Sequence, residues 1–311
     1  MENCNSKLLA MYGQSASMFG MALPELAAQR EDIVVLAADQ SVPAGLDKFK
    51  SLYPDRFFNV GIAEQNMIGI AAGLSDEGYL PVCVAQACFL TMRAYEPIRQ
   101  YAGYMRKRMI LVGLFSGFTT SLLGNTHYAK EDIALMRAIP EMRIVAPADA
   151  MEAVKCFECA VCSANPVYIR LWGKTGTPIV YQSDYDYELG KAIRLREGKD
   201  IQLVATGSMV VQALEAAALL AEDGIEADVI NMHTVKPLDA TLLDRSKPVF
   251  AIEEHSVIGG LGDALNDIGV PARKIGIADS FGVVGKYGYL LEQNNLTGEK
   301  IKEHILKNLK I

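Results

Sequence analysis

Short, almost wholly apolar runs recur along the chain, separated by longer amphipathic or small-residue stretches. In the first part these runs predict strands at 33–37, 57–60, 80–85, 109–113, 143–145 and 167–171. Helical periodicity lies between most of them, at 18–29, 64–74, 91–102, 131–138 and 149–162. Strands that are apolar at successive positions are buried on both faces, and alternation with helices makes a mostly parallel sheet. The run 57–60 is accordingly expected to be a buried parallel strand. A polar, tyrosine-rich stretch from Tyr181 to Glu197 then interrupts the pattern. Alternation resumes with a strand at 201–207, a helix at 209–222 ended by Asp223-Gly224, strands at 227–231, 249–253 and 274–277, and a last helix at 299–309. The expected fold class is α/β, with two domains that are each a mostly parallel sheet flanked by helices. The divisions are residues 1–182, a linker at 183–196, and residues 197–311. At roughly 150 residues per domain, a chain of 311 residues agrees with two.

The first acid after the 57–60 run is Glu64, which opens a helix whose Ala71, Ala72 and Gly73 allow close packing. Ligands of open α/β sheets sit beyond the carboxyl ends of the strands, so Glu64 lies where chemistry occurs. On pattern alone the commoner reading of the same acid is a helix-N-terminal residue favoured by the macrodipole. The glycines 259, 260 and 262 follow a strand and precede a helix. The third glycine of a dinucleotide fingerprint is replaced by Leu265, so a tight turn is the expected reading.

Charge and cysteines narrow the classes further. A formal net charge of −7 without a long basic cluster argues against nucleic acid or an anionic membrane as partner. No apolar run approaches the roughly 20 residues that span a bilayer. The opening Met-Glu-Asn-Cys-Asn has no basic region followed by an apolar one, so no signal peptide is expected, and the expected location is cytoplasmic. Cys156, Cys159 and Cys162 have a spacing that iron–sulfur ligands use. No fourth cysteine follows, and a helix capped by Asp149 would make them small buried hydrophobes on one face.

Several motifs in one order resemble transketolases: 57–67 with Gly61-Ile62-Ala63-Glu64-Gln65-Asn66-Met67, then Phe89-Leu90-Thr91-Met92-Arg93-Ala94-Tyr95-Glu96, Thr126-His127, Glu131-Asp132-Ile133-Ala134-Leu135-Met136-Arg137, Val145-Ala146-Pro147-Ala148-Asp149, and Asn231-Met232-His233-Thr234-Val235-Lys236-Pro237-Leu238-Asp239. The resemblance runs almost end to end and is to the C-terminal part of the family: the pyrimidine-binding domain followed by the C-terminal domain. The domain that holds the thiamine diphosphate tail has no counterpart here, and neither has its Gly-Asp-Gly signature. The resemblance therefore implies the second subunit of a split transketolase, transferring a two-carbon ketol unit from a ketose to an aldose. It implies thiamine diphosphate shared with an N-terminal companion subunit, Mg2+ or Ca2+ held by that companion with no metal ligand here, and an α2β2 heterotetramer. Glu64 would be the carboxyl at the cofactor's pyrimidine N1′, favouring the imino form whose 4′-nitrogen takes the thiazolium C2 proton. Phe89 would stack on the pyrimidine. His127 would touch the donor's hydroxyl groups. Arg93, Tyr95 and Glu96 read as scaffold or interface.

The chain also departs from the family. Where the family holds a sugar phosphate with an arginine, a serine, a histidine and a second arginine stand Ala16, Pro43, Phe115 and Gly173, the last beside Lys174. Leu123 replaces an acid that reads donor hydroxyls, Gln86 a second aromatic and Gln40 a leucine. Phosphate recognition needs forked or paired donors, so four replacements imply an altered substrate. The alternatives are a 2-oxo acid dehydrogenase E1 β-like or deoxyxylulose-phosphate synthase-like thiamine enzyme, and, in another class, a non-catalytic partner-binding subunit.

Overall fold

The computed structural model describes residues 6–172 and 177–309. The first described element is α1 (Ser6–Ser17), kinked at Gly13 where φ is +79°, and it continues through a π-helical turn into α2 (Leu23–Gln29). The strand β1 (Ile33–Ala37) follows, then α3 (Ser41–Ala44), α4 (Asp47–Leu52), β2 (Phe57–Asn59) and α5 (Glu64–Asp76). Next come β3 (Leu80–Gln86), α6 (Tyr95–Ile98) set between two π-helical segments, β4 (Ile110–Leu114), α7 (Asp132–Arg137), β5 (Arg143–Val145), α8 (Ala150–Ala160) and β6 (Val167–Arg170). The second part holds β7 (Ile193–Arg196), β8 (Ile201–Ala205), α9 (Met209–Glu222), β9 (Ala227–Asn231), β10 (Thr234–Lys236), β11 (Val249–Ser256), α10 (Leu261–Asp267), β12 (Ala272–Ile277), α11 (Tyr287–Gln293) and α12 (Gly298–Leu309).

Seven strands form one sheet in the order β10-β5-β6-β4-β3-β1-β2, and five form another in the order β12-β11-β8-β9-β7. Pairings are parallel except β10 with β5 and β7 with β9. The interior strands β1, β3, β4 and β8 are buried at every residue, as their largely apolar sequences require, with Gln86 and Gln202 buried among them. Helices cover both faces, giving separate apolar clusters on the two sides of the first sheet.

Three expectations change. The strand β2 is an edge strand rather than a buried one, with Phe58 41% exposed. The helix expected at 91–102 spans 89–104 as π-helical, α-helical and π-helical pieces, a form frequent at functional sites. The three clustered cysteines do not share one buried face: Cys156 is buried, Cys159 half-buried, and Cys162, past the end of α8, exposed. Asp149 does cap α8, its Oδ1 accepting the Glu152 amide at 2.9 Å. Two strands were not anticipated. Residues 193–196, within the expected linker, pair with β9, and β10 leaves the second half of the chain to close the first sheet beside β5.

The Gly259–Gly262 turn is tight for a visible reason. Glu253 accepts the amides of Leu261 at 2.6 Å and Gly262 at 2.9 Å, and a Cβ on Gly260 would lie 1.9 Å from its Oε2. The chain's own carboxylate takes these amides at the start of α10, where a phosphate would otherwise find donors.

Candidate functional site

The carboxyl ends of β1, β2 and β3 converge on one edge of the first sheet. Asn59, the last residue of β2, ties this edge together: its Oδ1 accepts the amides of Asp39 at 3.2 Å and Gly61 at 3.0 Å. The chain then turns into α5, whose first residue is Glu64. Its side chain is only 3% exposed. A buried carboxylate needs a partner, and it has one in Arg93, whose Nη1 lies 2.9 Å from Oε1 and 2.8 Å from Oε2. Arg93 is fixed from behind by Gln65, whose Nε2 donates to its carbonyl at 2.9 Å.

Phe89 begins the π-helical turn that ends at Arg93, and the guanidinium lies 4.4 Å from the Phe89 ring centroid. The His127 ring stands edge-on to Phe89, with centroids 5.4 Å apart and planes at 71°. Glu64, Phe89 and His127 are thus one constellation, linked through Arg93. Sequence reasoning had set Arg93 aside with Tyr95 and Glu96 as scaffold. Tyr95 does pack against the apolar cluster of this domain and Glu96 is exposed. Arg93, by contrast, contacts both Glu64 and Phe89. The Thr126 Oγ1 lies 2.9 Å from His127 Nδ1.

The second domain supports the His127 loop. Asn125 Nδ2 donates to the Gly282 carbonyl at 3.4 Å, and the Lys130 ammonium to that of Ser280. On the other side of the loop, Glu254 of β11 accepts the Phe118 amide at 2.6 Å, the Tyr287 hydroxyl at 2.7 Å and the Ser208 hydroxyl. Burial holds this carboxyl above its ordinary range, against the pull of those donors. Gly117 has φ +60°, and a Cβ there would lie 2.3 Å from Glu254 Oε1, so only glycine fits. Sequence reading missed Glu254 because Glu253-Glu254-His255 looks like a polar strand end, whereas all three residues are buried.

The departures from the family lie partly within this edge. Ser15 Oγ bonds the Ala44 carbonyl at 2.7 Å, so the end of α1 carrying Ala16 meets α3, which carries Pro43. Phe115, at φ +57°, packs against the apolar cluster instead of facing a ligand with a polar group. Gln86 is buried at the end of β3, and Leu122 and Leu123 are 69% and 60% exposed beside the His127 loop. Gly173 and Lys174 lie outside the described residues. Among the described residues, no group of three or more His, Cys, Asp and Glu side chains is placed to hold a metal ion, and no helix is long and apolar enough to cross a membrane.

A second buried network joins the domains away from this edge. Glu152 of α8 accepts from Asn231 of β9 at 2.9 and 3.0 Å, from the Ala148 amide at 2.6 Å, and from the Tyr181 hydroxyl at 3.2 Å. Burial pushes the Glu152 carboxyl up to about 7, against those bonds. A folded value above the unfolded one means that the folded protein holds the proton more tightly. The stabilisation is therefore full below about 4.5 and lost as pH rises through about 7. His233 acts in the opposite sense, since burial lowers it to about 4 and folding then disfavours its charged form. Comparison with Glu152→Gln isolates the carboxyl. Between about pH 4.5 and pH 7, wild type should lose stability relative to that variant, by up to about 1.4 kcal/mol per pH unit in chemical denaturation, and the difference should level off above that range. A difference that stays flat with pH would exclude the linkage.

Two α/β units with a buried acid at the carboxyl edge of the first define a class of protein that comparison identifies. The pyrimidine-binding domain of transketolase matches residues 14–174, and the transketolase C-terminal domain residues 190–301. The chain belongs to the transketolase family and corresponds to its C-terminal section. It is 37% identical over 98% of its length to a Methanocaldococcus jannaschii protein described as a transketolase C-terminal section, of which it covers 99%. It is 39% identical to a 6-deoxy-6-sulfo-D-fructose transketolase subunit of Clostridium sp., over 88% of each chain. Among solved structures it is similar to a split-gene transketolase described as an inactive beta4 tetramer, with TM-score 0.84, 39% identity, and coverage of 95% of this chain and 98% of that one.

Proposed function

We propose that this chain is the C-terminal subunit of a split, thiamine diphosphate-dependent transketolase. It would move a two-carbon ketol unit from a ketose donor to an aldose acceptor, with substrates changed from ordinary sugar phosphates. The observation that carries the reading is the Glu64–Phe89–His127 constellation at the carboxyl edge, in a chain of this family. The residues fit the cofactor's aminopyrimidine. A flat nitrogen-donor group, the Arg93 guanidinium, already bonds the Glu64 carboxylate and lies over the Phe89 ring.

In this reading Glu64 shares a proton with the pyrimidine N1′, and Phe89 offers its ring face to the same heterocycle. Burial of Glu64 strengthens that hydrogen bond by excluding water. His127 Nε2 faces the donor's hydroxyl groups, with its ring set by Thr126. When bound, the cofactor supplies the nucleophilic carbon that takes up and passes on the two-carbon unit. Its diphosphate and a divalent cation, Mg2+ or Ca2+, would be held by the N-terminal companion, in an α2β2 assembly located in the cytoplasm. The inactive state described for the β-only neighbour supports dependence on a companion.

The test is calorimetry with thiamine diphosphate and Mg2+ on this chain alone and on its mixture with the companion. Binding is expected only in the mixture, and tight binding to this chain alone would remove the shared site. In the assembled enzyme, xylulose 5-phosphate and ribose 5-phosphate should turn over poorly, because Ala16, Pro43 and Phe115 offer no charged donors. Normal efficiency with that pair would refute the altered specificity. Turnover of pyruvate as donor would move the chain to the 2-oxo acid dehydrogenase E1 β or deoxyxylulose-phosphate synthase type.

A further inference from the structure

The contacts around Arg93 duplicate those that a bound pyrimidine would make. Its guanidinium is planar, bonds both oxygens of Glu64 through Nη1, and lies 4.4 Å from the Phe89 ring centroid. These are the same carboxylate and ring that the proposed function gives to the aminopyrimidine. The pair is lopsided in exposure: the Arg93 side chain is 43% exposed and that of Glu64 only 3%. A buried carboxylate left without a partner is costly, whereas an exposed guanidinium that swings into water loses little. Arg93 is also placed by short-range geometry. The π-helical turn sets it four residues past Phe89 on one helical face, while Gln65 holds its backbone and leaves the side chain free to turn.

We infer that Arg93 is a displaceable stand-in for the cofactor's pyrimidine, seated on Glu64 and Phe89 until cofactor binding drives it out. It keeps the buried Glu64 paired in the cofactor-free chain, and it competes with the cofactor for the same two groups. Binding is then an exchange of one flat nitrogen donor for another. Arg93 differs in this from a residue that positions Glu64 for the cofactor, because a positioning residue strengthens binding and a stand-in weakens it.

The inference rests on the reading of Glu64 as the cofactor's carboxylate, and the experiment separates the two. Thiamine diphosphate with Mg2+ is titrated calorimetrically into the chain assembled with its companion, as wild type, Arg93→Ala, Arg93→Lys and Glu64→Gln. Arg93→Ala should bind about three- to tenfold more tightly, the scale of a partly exposed ion pair. Arg93→Lys, which keeps the charge but loses the flat face over Phe89, should fall between wild type and alanine. The melting temperature of the cofactor-free Arg93→Ala chain should drop, because Glu64 is then unpaired, and added cofactor should restore it. Should Arg93→Ala misfold, Arg93→Lys carries the same comparison. Affinity unchanged or weakened in both Arg93 variants overturns the stand-in. Affinity unchanged in Glu64→Gln removes the reading of the site itself, and absence of binding in wild type removes both.

Discussion

Glu64→Gln is expected to lower kcat of the assembled enzyme by about 100- to 10,000-fold, the range supplied by a positioned proton-transferring side chain. The substitution keeps the shape of the side chain and still offers Arg93 an acceptor, so the fold should survive. Because the Arg93 partner is 43% exposed, stability should stay within about 1 kcal/mol of wild type. On the proposed function, what is lost is a carboxylate that can share a proton with the pyrimidine. The loss should therefore fall on kcat with every donor tried, while KM for the sugars moves little, since His127 and its loop are untouched. Steady-state kinetics with two unrelated donors, alongside a melting curve, checks this. A variant with full activity would leave the chain as a non-catalytic partner-binding subunit.

Why the placement of Glu64 at the start of a helix could be read from sequence and its pairing with Arg93 could not follows from the range of the contacts involved. Glu64 announces itself locally, as the first acid after an apolar run and the opening residue of a helix. Its ion pair is with a residue 29 positions away on another element, and no local pattern encodes that. The strands are legible for the same local reason, since β1 and β4 are unbroken apolar runs and β3 and β8 are interrupted only by Gln86 and Gln202. The edge position of β2 is not, because Phe57-Phe58 reads as interior whichever place the strand takes in the sheet. The strand β7 was legible in principle: Ile193 and Leu195 alternate with Arg194 and Arg196, the period of a half-buried strand. The polar, tyrosine-rich stretch before it masked that signal. The crossing of β10 into the first sheet is a matter of topology, and its Thr-Val-Lys sequence carries no trace of it.

The largest stability effect is expected at Arg170, a charge buried in the seam between the domains. Its side chain is 2% exposed, and Nε meets Asp132 Oδ2 at 2.8 Å, while Nη2 meets the carbonyls of Ala129 at 3.1 Å and Glu254 at 2.9 Å. Asp132 is fully buried, and its other donor is the Tyr168 hydroxyl at 2.7 Å. Arg170→Leu fills much of the volume but strands the Asp132 charge, which should cost about 3–5 kcal/mol in urea denaturation. Adding Asp132→Asn should recover at least half of that, because it removes the uncompensated charge while the Tyr168 bond remains. The carbonyl of Glu254 belongs to the second domain, and the Glu254 side chain accepts the Phe118 amide beside the His127 loop. The single variant should therefore also loosen the loop and raise KM for the donor in whatever fraction stays folded. If Arg170→Leu costs less than about 1 kcal/mol, the surface-pair range, the network does not bind the domains together.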